Sequence, residues 1–486
     1  MKTICLYFEI HQIVHLKRYR FFDIGADHYY YDDYENDRSI ADIVDRSYMP
    51  ALNTIGEMIK EHGDYFKVAF SLSGVGMEQL ELHAPKVLDK LQELNQTGCV
   101  EFLAEPYSHG LSSLKDEQVF RDEVKLQAEK IKEYFGQEPK IFRNSGLIYK
   151  DEIGEVVADM GFKGLLTEGA QHVLGWKSPH YLYHCALNPN LKLLLRDYTL
   201  SDDIALRFSN SDWEEYPLFA DNYIDKIAKL PEEEQLVNIF MNLSAIGISQ
   251  PISSGILEFL RALPECACKR GITFSTPTEV CMKLKSIGEV NVPVALSWMD
   301  EERDVSTWLG NPMQREAVDK LYSVAERVRI IDDPALNLDW MYLQASNNFR
   351  MMSTKQSNVG VERGIFSSPF DAFSNYMNIL GDFLSRVRQL YPESIEDDEL
   401  NSLLTTIRNQ SDEIELKDKE ASRLQARVEK LESENSKLHD QIDQLKEEAK
   451  SPAKDACKGT AKGNKETKPK AAPKTPRRSP RKKATE

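Results

Sequence analysis

The amino-acid sequence predicts an α/β protein built on a mostly parallel sheet, followed by a helical domain, a coiled coil and a basic tail. Three observations predict this order. Short apolar segments alternate with amphipathic ones over residues 2–285, the pattern is helical from about 310 to 390, and the end of the chain is rich in lysine and proline. Strand–helix alternation of this length indicates parallel strands, either in an open sheet or closed into a barrel.

Eight short apolar segments of the first region are predicted strands, and four amphipathic segments between them are predicted helices because their apolar residues recur at helical spacing. Several polar motifs follow the strands directly, at the edge where parallel barrels place their active sites. The predicted strands are Thr3–Phe8, Phe66–Leu72, Val100–Ala104, Lys140–Arg143, Gly164–Leu166, Leu191–Leu195, Leu236–Phe240 and Gly271–Phe274, and the predicted helices are Ile40–Lys60, Leu80–Leu94, Asp116–Tyr134 and Ile256–Leu263.

A helical domain is predicted over residues 286–395, because Ala317–Val328 and Phe370–Leu390 carry apolar residues at a spacing of 3.6. Residues 400–449 are predicted to form a coiled coil. Within them, apolar residues of 421–445 follow a 4-3 spacing, and Asn435 falls at an inner position. An inner asparagine favours a two-stranded coil, so we expect a homodimer through 421–445; a solitary charged helix is the alternative.

Residues 450–486 are predicted to be disordered, because they hold too few apolar side chains to offset the entropy of ordering. They contain 13 basic and three acidic residues, a net charge of +10, whereas the whole chain carries −17. The rest of the chain is therefore acidic and repels nucleic acid and membrane surfaces, while the tail attracts them. Nucleic acid or an acidic partner is one candidate for the tail, and a solubilising or self-associating role is the other.

The composition also favours a cytoplasmic protein that does not enter membranes. No apolar run reaches the roughly 18 residues of a membrane span, and the N-terminus indicates a buried strand rather than a signal peptide. The seven cysteines include no CxxC pair, which fits reduced thiols. We expect no cofactor and no metal, since His11 and His109 lack a tight cluster of further ligands.

The motifs at the predicted strand ends, taken in order, resemble glycoside hydrolase family 57, specifically its α-amylase branch. The resemblance covers roughly residues 1–390, and its strength lies in the order of many individually weak motifs. They are Glu9-Ile10-His11-Gln12, Phe70–Gln79, Val100–His109, Phe142–Tyr149, Leu165–Gly169, Val173–Pro179, Phe240–Gly247, Thr276–Val280, Ser297–Asp304 and Trp308–Asn311.

This resemblance implies a seven-stranded (β/α) barrel over residues 1–285, with the helical domain after it. It also implies a retaining mechanism on α-1,4-glucan. In such a mechanism two carboxyl groups about 5–5.5 Å apart act as the nucleophile and the acid/base.

Both carboxyl groups are absent at the positions that match. Gly146 stands where the family has its nucleophilic glutamate, and Asn242 stands where it has the acid/base aspartate. An amide has no proton to donate at useful pH, and Gly146 is expected to leave a void the size of a side chain. We therefore expect an α-amylase-like protein that binds α-1,4-glucan and has lost most or all hydrolysis.

The alternatives are an active retaining α-amylase or glucanotransferase that uses other carboxylates (Glu168, Glu105 or Glu78), and a coiled-coil interaction protein with a nucleic-acid-binding tail. Other residues of the matching motifs are candidates for sugar contacts through hydrogen bonds or stacking. The predicted substrate-binding residues are His11, Glu78, Glu105, His109, Arg143, Glu168, Trp176 and Trp298.

Overall fold

The computed structural model describes residues 2–355 and 363–391, together with seven exposed helical residues between 417 and 428. The chain divides after residue 392 into two compact units. Nearly all of the predicted coiled coil and the whole predicted tail lie outside the described residues, so both stay predictions.

Ten strands form the sheet of the first unit, and eight of them lie where the sequence predicts a strand. They are β1 (Thr3–Ile10), β2 (Val68–Leu72), β3 (Val100–Leu103), β4 (Ile141–Arg143), β5 (Gly164–Glu168), β6 (Tyr183–Cys185), β7 (Lys192–Arg196), β8 (Leu236–Asn242), β9 (Thr273–Phe274) and β10 (Glu289–Val290).

Seven of these strands close into a ring. β1 pairs in parallel with β2 and β8, β2 with β3, β4 with β5, and β7 with β5 and β8. A parallel bridge between Ala104 and Phe142 joins the end of β3 to β4. The ring agrees with the predicted (β/α) barrel, and it brings the carboxyl ends of β1, β4 and β8 to one face.

Three short strands lie outside the ring. β9 pairs with the first residues of β1, β6 runs antiparallel to β7, and β10 pairs with β6. The sequence did not predict β6 and β10, because these short segments include the polar residues His184 and Glu289 and so form no apolar run.

The described residues up to 391 also hold eighteen α-helices, which surround the ring and then form the helical region after it. They are α1 (Asp33–Ile43), α2 (Met49–His62), α3 (Gly74–His83), α4 (Pro85–Asn95), α5 (Ser112–Lys115), α6 (Glu117–Phe135), α7 (Asp151–Asp159), α8 (Gln171–Leu174), α9 (Tyr198–Asp202), α10 (Ala220–Ala228), α11 (Ile256–Lys269), α12 (Pro277–Lys283), α13 (Ser306–Leu309), α14 (Pro312–Tyr322), α15 (Ala325–Ile331), α16 (Pro334–Leu343), α17 (Ser346–Arg350) and α18 (Pro369–Leu390).

Helix α6 shows how local chemistry sets the ends of an element. The Asp116 side chain accepts a hydrogen bond from Val119 N, which satisfies a free amide of the first turn. Gly136 ends the helix with φ 68°, a left-handed conformation that glycine adopts without steric cost. These signals explain why the predicted helix, Asp116–Tyr134, agrees with the observed one within a residue.

The hydrophobic core lies both inside and outside the ring. Cys5 and Tyr7 of β1 point into a cluster inside the ring with Phe240 of β8. The alternate residues of β1, Leu6 and Phe8, pack against the surrounding helices. Because both faces are covered, the strands are continuous apolar runs, as parallel sheets require.

The helical region packs on one side of the ring. Val318 of α14, Trp340 of α16 and Phe383 of α18 share a buried cluster with Phe142 of β4 and Leu165 of β5. Among the described residues, none of the helices is both long and apolar enough to cross a membrane.

Candidate functional site

A cavity of about 120 Å³ opens at the face where the parallel strands end. The ring contributes Glu9 of β1, His11 just after β1, Gly146 after β4, and Asn242 at the end of β8. The helical region contributes Ser346, Asn347 and Arg350 of α17. The cavity is completed by Tyr48, His109, Ser244, Trp298, Met299 and Trp308.

A buried cluster of charged residues lies next to this cavity. Arg143 is fully buried and donates hydrogen bonds to Glu9 and to Glu105, and its guanidinium lies 5.3 Å from the centre of the Phe240 ring. Glu105 also accepts a hydrogen bond of 2.6 Å from Ser71 Oγ. Burial alone would lower the pKa of Arg143, but the two carboxylates raise it. The guanidinium is therefore a permanent positive charge that compensates buried carboxylates.

Two histidines lie above this cluster and stack on each other. The rings of His11 and His109 are 4.1 Å apart at an angle of 19°. His11 Nδ1 is 2.7 Å from Ser73 Oγ, and His109 Nε2 is 3.4 Å from a Glu9 oxygen. Burial lowers the pKa of His109 to about 4, with Glu9 raising it and Arg143 lowering it further. Burial and the neighbouring His109 hold the pKa of His11 well below its usual value. The lowered pKa values favour the neutral form of both rings at pH 7, in which they can bind hydroxyl groups but are not general acids.

Glu9, Glu105 and His109 have ligand atoms within 4.8 Å of one another, a grouping that could hold a metal ion. However, the Arg143 guanidinium already pairs with both carboxylates. A divalent cation would have to displace it or meet its charge at close range. Within the described residues, this cluster already contains its cation.

Gly146 lies directly against an indole ring. Its backbone is left-handed, with φ 57° and ψ 22°. A Cβ at this position would lie 2.8 Å from Cζ2 of Trp308 and closer still to Cη2. The Trp308 side chain is buried, with 3% of its surface exposed. The expectation of an empty space at Gly146 is therefore wrong, because Trp308 fills it.

Asn242 lies beside Glu9 in the register of β8 and β1. Its Oδ1 atom is buried and has no hydrogen-bond partner among the described residues. It lines the cavity and has the shape of the aspartate that the family resemblance places there. The amide can accept and donate hydrogen bonds with a ligand, but it cannot protonate a leaving oxygen.

Glu168 lies in a second buried ion cluster rather than on the cavity wall. Its Oε2 atom accepts hydrogen bonds of 3.0 Å from both Arg196 and Arg303. Its Oε1 atom accepts one of 2.9 Å from Gly169 N. Both oxygens are thus engaged within the protein, which weighs against Glu168 as a substitute nucleophile.

The remaining candidates divide between the cavity and its surroundings. Of the predicted substrate-binding residues, His11, His109 and the half-buried Trp298 line the cavity. Glu78 accepts hydrogen bonds from the hydroxyls of Tyr107 and Tyr342, and Glu105 and Arg143 lie in the ion cluster. The indole of Trp176 is 92% exposed on a loop.

The cavity also contains residues that the sequence did not single out as candidates. Glu9 had a signal, since it directly follows the predicted strand Thr3–Phe8 and lies two residues before His11. Tyr48 and Ser346 had none, because they belong to helices remote in sequence and reach the cavity through tertiary packing. Trp308 was only one of several possible stacking residues, and its contact with Gly146 depends on how the helical region packs.

Comparison with known proteins identifies a family and a relative that the chain resembles in sequence. The model of glycosyl hydrolase family 57 matches residues 5–293. A protein of Methanocaldococcus jannaschii named "Putative alpha-amylase" is 38% identical over 380 residues, which are 75% of this chain and 80% of that protein.

Solved structures share the fold. The 4-alpha-glucanotransferase of Thermococcus litoralis superimposes with a TM-score of 0.57 at 14% identity, covering 78% of this chain and 60% of that one. The chain thus spans less than two thirds of the length of that enzyme. The alpha-amylase AmyC of Thermotoga maritima superimposes with a TM-score of 0.52 at 11% identity, covering 80% of this chain and 96% of that one. The family match and the M. jannaschii relative together show that the chain belongs to glycoside hydrolase family 57.

Proposed function

We propose that the barrel cavity binds a glucosyl unit of an α-1,4-glucan and that the protein hydrolyses the glucan very slowly or not at all. One observation supports this more than any other. The side chain that would carry a nucleophile at position 146 is absent, and the Trp308 indole lies in its place.

The loss of chemistry follows from the retaining mechanism. A nucleophile must attack the anomeric carbon while an acid protonates the leaving oxygen. General acid catalysis alone contributes roughly 10²–10⁴-fold. Asn242 cannot supply it, and the neutral His11 and His109 cannot supply it at pH 7.

Binding is supported by the groups that remain in the cavity. Neutral imidazoles and the Asn242 amide can pair with sugar hydroxyls, and the half-buried Trp298 offers an apolar surface. The cavity, at about 120 Å³, is smaller than the roughly 300–1,000 Å³ of pockets for drug-sized ligands. We therefore expect it to take a single sugar ring, with the rest of a glucan chain outside.

The test is a binding titration and a hydrolysis assay on one preparation of the full chain. Calorimetry with maltoheptaose should show binding, and a reducing-end assay at high protein concentration should show no release above the uncatalysed rate. Asn242→Leu removes the amide at similar volume and should weaken binding. No heat of binding, together with no protection against thermal unfolding, would refute the proposal.

A restoration experiment tests the reason for the lost activity. Gly146→Glu with Asn242→Asp supplies both carboxyl groups, but the new glutamate meets Trp308 and should leave the protein inactive or unfolded. Adding Trp308→Ala makes room for it. We expect measurable hydrolysis only in the triple variant. A triple variant that folds but is as inactive as the wild type would show that residues other than these three also prevent hydrolysis.

A residual activity is the second candidate function, because one carboxylate does line the cavity. Among the described residues that line it, Glu9 is the single carboxylate, and it lies next to Asn242. If pure protein releases reducing ends or transfers glucosyl units, Glu9→Gln should abolish that activity and Glu168→Gln should retain it. A loss with Glu168→Gln alone would instead assign the chemistry to the second ion cluster.

A further inference from the structure

A second cavity lies between α6 and the helices α15 and α16, with a volume of about 240 Å³. It shares none of its lining residues with the barrel cavity. Most of its wall is apolar. The apolar lining residues are Val119, Leu126, Ala325, Val328, Trp340 and Met341.

The polar residue of interest in this cavity is Gln344, which follows the last residue of α16. Its side chain is fully buried, and neither Oε1 nor Nε2 has a hydrogen-bond partner among the described residues. Buried side-chain polar atoms are nearly always hydrogen-bonded, and an unpaired one is unfavourable. An amide of this kind in the lining of a cavity can pair with a molecule that enters the cavity and both donates and accepts a hydrogen bond.

The rim restricts the charge of that partner. Asp122, Arg329 and Asp332 line the cavity and are exposed, which gives two negative charges against one positive. Glu123 is a fourth charged residue of the lining, but its two oxygens already accept hydrogen bonds from Ser108 N and Ser112 Oγ. An anionic ligand would meet a net negative rim, so a neutral one is favoured.

We propose that this cavity is a second carbohydrate site that takes one hexopyranose unit of a neutral glucan. Two adjacent sugar hydroxyls satisfy Gln344, one by donating to Oε1 and the other by accepting from Nε2. The apolar face of the ring packs against the Trp340 wall. A nucleobase also matches an amide, but the phosphate of a nucleotide would face Asp122 and Asp332. This site goes beyond the proposed function because it lies outside the barrel cavity.

The two cavities are joined by a short stretch of chain. Ser346, two residues after Gln344, donates its backbone N–H to His109 O at 3.1 Å, and Ser346 and Asn347 line the barrel cavity. An experiment must therefore observe the two sites separately. Each cavity has its own methionine for this purpose, Met299 in the barrel cavity and Met341 in the second.

The experiment is a maltose titration of the full chain labelled with ¹³C at its methionine methyl groups, with the signals of Met299 and Met341 assigned by Met→Leu substitution. We expect the Met341 signal to move saturably with maltose. In Gln344→Leu, which keeps the volume and removes both hydrogen-bonding atoms, its midpoint should rise at least tenfold. Met299 should titrate unchanged in that variant, and His11→Ala should affect Met299 and spare Met341.

This design separates the two proposals. If the barrel cavity binds no sugar, the Met299 signal should stay unchanged during the titration while the Met341 signal shifts. The second site is refuted if Met341 does not respond up to the solubility limit of maltose, if Gln344→Leu leaves its midpoint unchanged, or if adenosine moves it where maltose does not.

A structural role for Gln344 is excluded by a second measurement. Without sugar, Gln344→Leu should melt at the same or a higher temperature, because it removes unpaired buried polar atoms. A lower melting temperature with an unchanged maltose midpoint would make Gln344 a packing residue and overturn the proposal. If Gln344→Leu does not fold, Val328→Phe narrows the cavity from another wall and should raise the Met341 midpoint in the same way.

Discussion

Gly146 combines two constraints, a left-handed backbone and a tryptophan ring against its Cα. Gly136 provides a matched control, since its φ of 68° is similar and a Cβ there would meet nothing within 4 Å. Gly136→Ala should cost about 1 kcal/mol for the backbone alone. Gly146→Ala should cost about 1–3 kcal/mol more because the methyl group overpacks the core. Urea unfolding of the two variants measures the difference.

The partner of this contact can be identified by a double-mutant cycle. Trp308→Ala removes the ring that a Cβ at 146 would meet, so Gly146→Ala should cost less in that background. The double variant is expected to be about 1–3 kcal/mol more stable than the sum of the two single effects would give. Additive effects would mean that Trp308 is not what excludes a side chain at position 146.

His180 lies between two carboxylates, with Nε2 2.7 Å from Asp197 and Nδ1 2.6 Å from Glu234. Burial lowers its pKa, but hydrogen bonds and charge from Asp197 and Glu234 outweigh burial and raise it above 6.5. The folded state therefore binds the proton more tightly than the unfolded chain. The stability from this pairing is fully present below the unfolded pKa and is lost as the pH rises through the folded pKa.

We therefore expect the wild-type protein to have a higher free energy of unfolding than His180→Gln. The difference between the two should be largest near pH 6 and should decrease toward pH 9. His184→Gln is the control. Burial and Lys192 lower the pKa of His184, so its pH dependence has the opposite sign. A gap for His180→Gln that is constant with pH would contradict the charged pairing.

The residues of the site show where sequence reasoning reaches its limit. The interpretation of Gly146 and Asn242 as positions without their carboxyl groups rests on the two motifs that contain them, Phe142–Tyr149 and Phe240–Gly247, and it stays a proposal. The engagement of Glu168 by Arg196 and Arg303 could not be predicted, since Arg303 comes from a loop 135 residues further along the chain. Trp308 was missed as the occupant of the site for the same reason.

At the scale of elements, helix α18 anchors the loop after β1 through one buried carboxylate. Asp382 is fully buried and accepts hydrogen bonds from Gly25 N at 2.7 Å and from the Tyr30 hydroxyl at 2.6 Å. It also lies 2.8 Å from His28 Nδ1. Because this loop leads from β1 to α1, the helical region helps to shape the barrel face.

Asp382→Ala should lower the free energy of unfolding by about 2–4 kcal/mol, because it leaves the Gly25 and Tyr30 donors unpaired. Asp319→Ala is the control. It breaks a helix-surface ion pair with Lys115 in which the aspartate side chain is 63% exposed, and such pairs contribute about 0–1 kcal/mol. Equal effects of the two variants in thermal melts would contradict the anchoring role.

Helices with a clear apolar periodicity were predicted well, but the breaks within them were not. The apolar pattern of Ile40–Lys60 continues through a π-helical turn, so the sequence predicts one helix where the structure has α1 and α2. Leu80–Leu94 is likewise divided into α3 and α4, with Pro85 as the first residue of α4. A proline at the first helical position is favourable, so this break had a sequence signal that the apolar period concealed.

At the scale of the whole molecule, the division after residue 392 predicts that residues 1–392 fold alone. We expect this fragment to melt at the temperature of the full chain and to bind glucan equally. If the predicted coiled coil forms, light scattering should show a dimer for the full chain and a monomer for the fragment. A monomeric full chain would refute the coiled-coil dimer, and a fragment that does not fold would refute the independence of the first unit.

Under the proposed function, the close approach of Trp308 to Gly146 also imposes an order on any mutational path that restores both carboxyl groups. A glutamate gained first would collide with the indole, and an indole lost first would leave a hole in the core with no compensating activity. Each single step would therefore destabilise the protein before the pair could restore the site. If hydrolysis is absent as proposed, the packing of this one ring makes its return through single substitutions unfavourable.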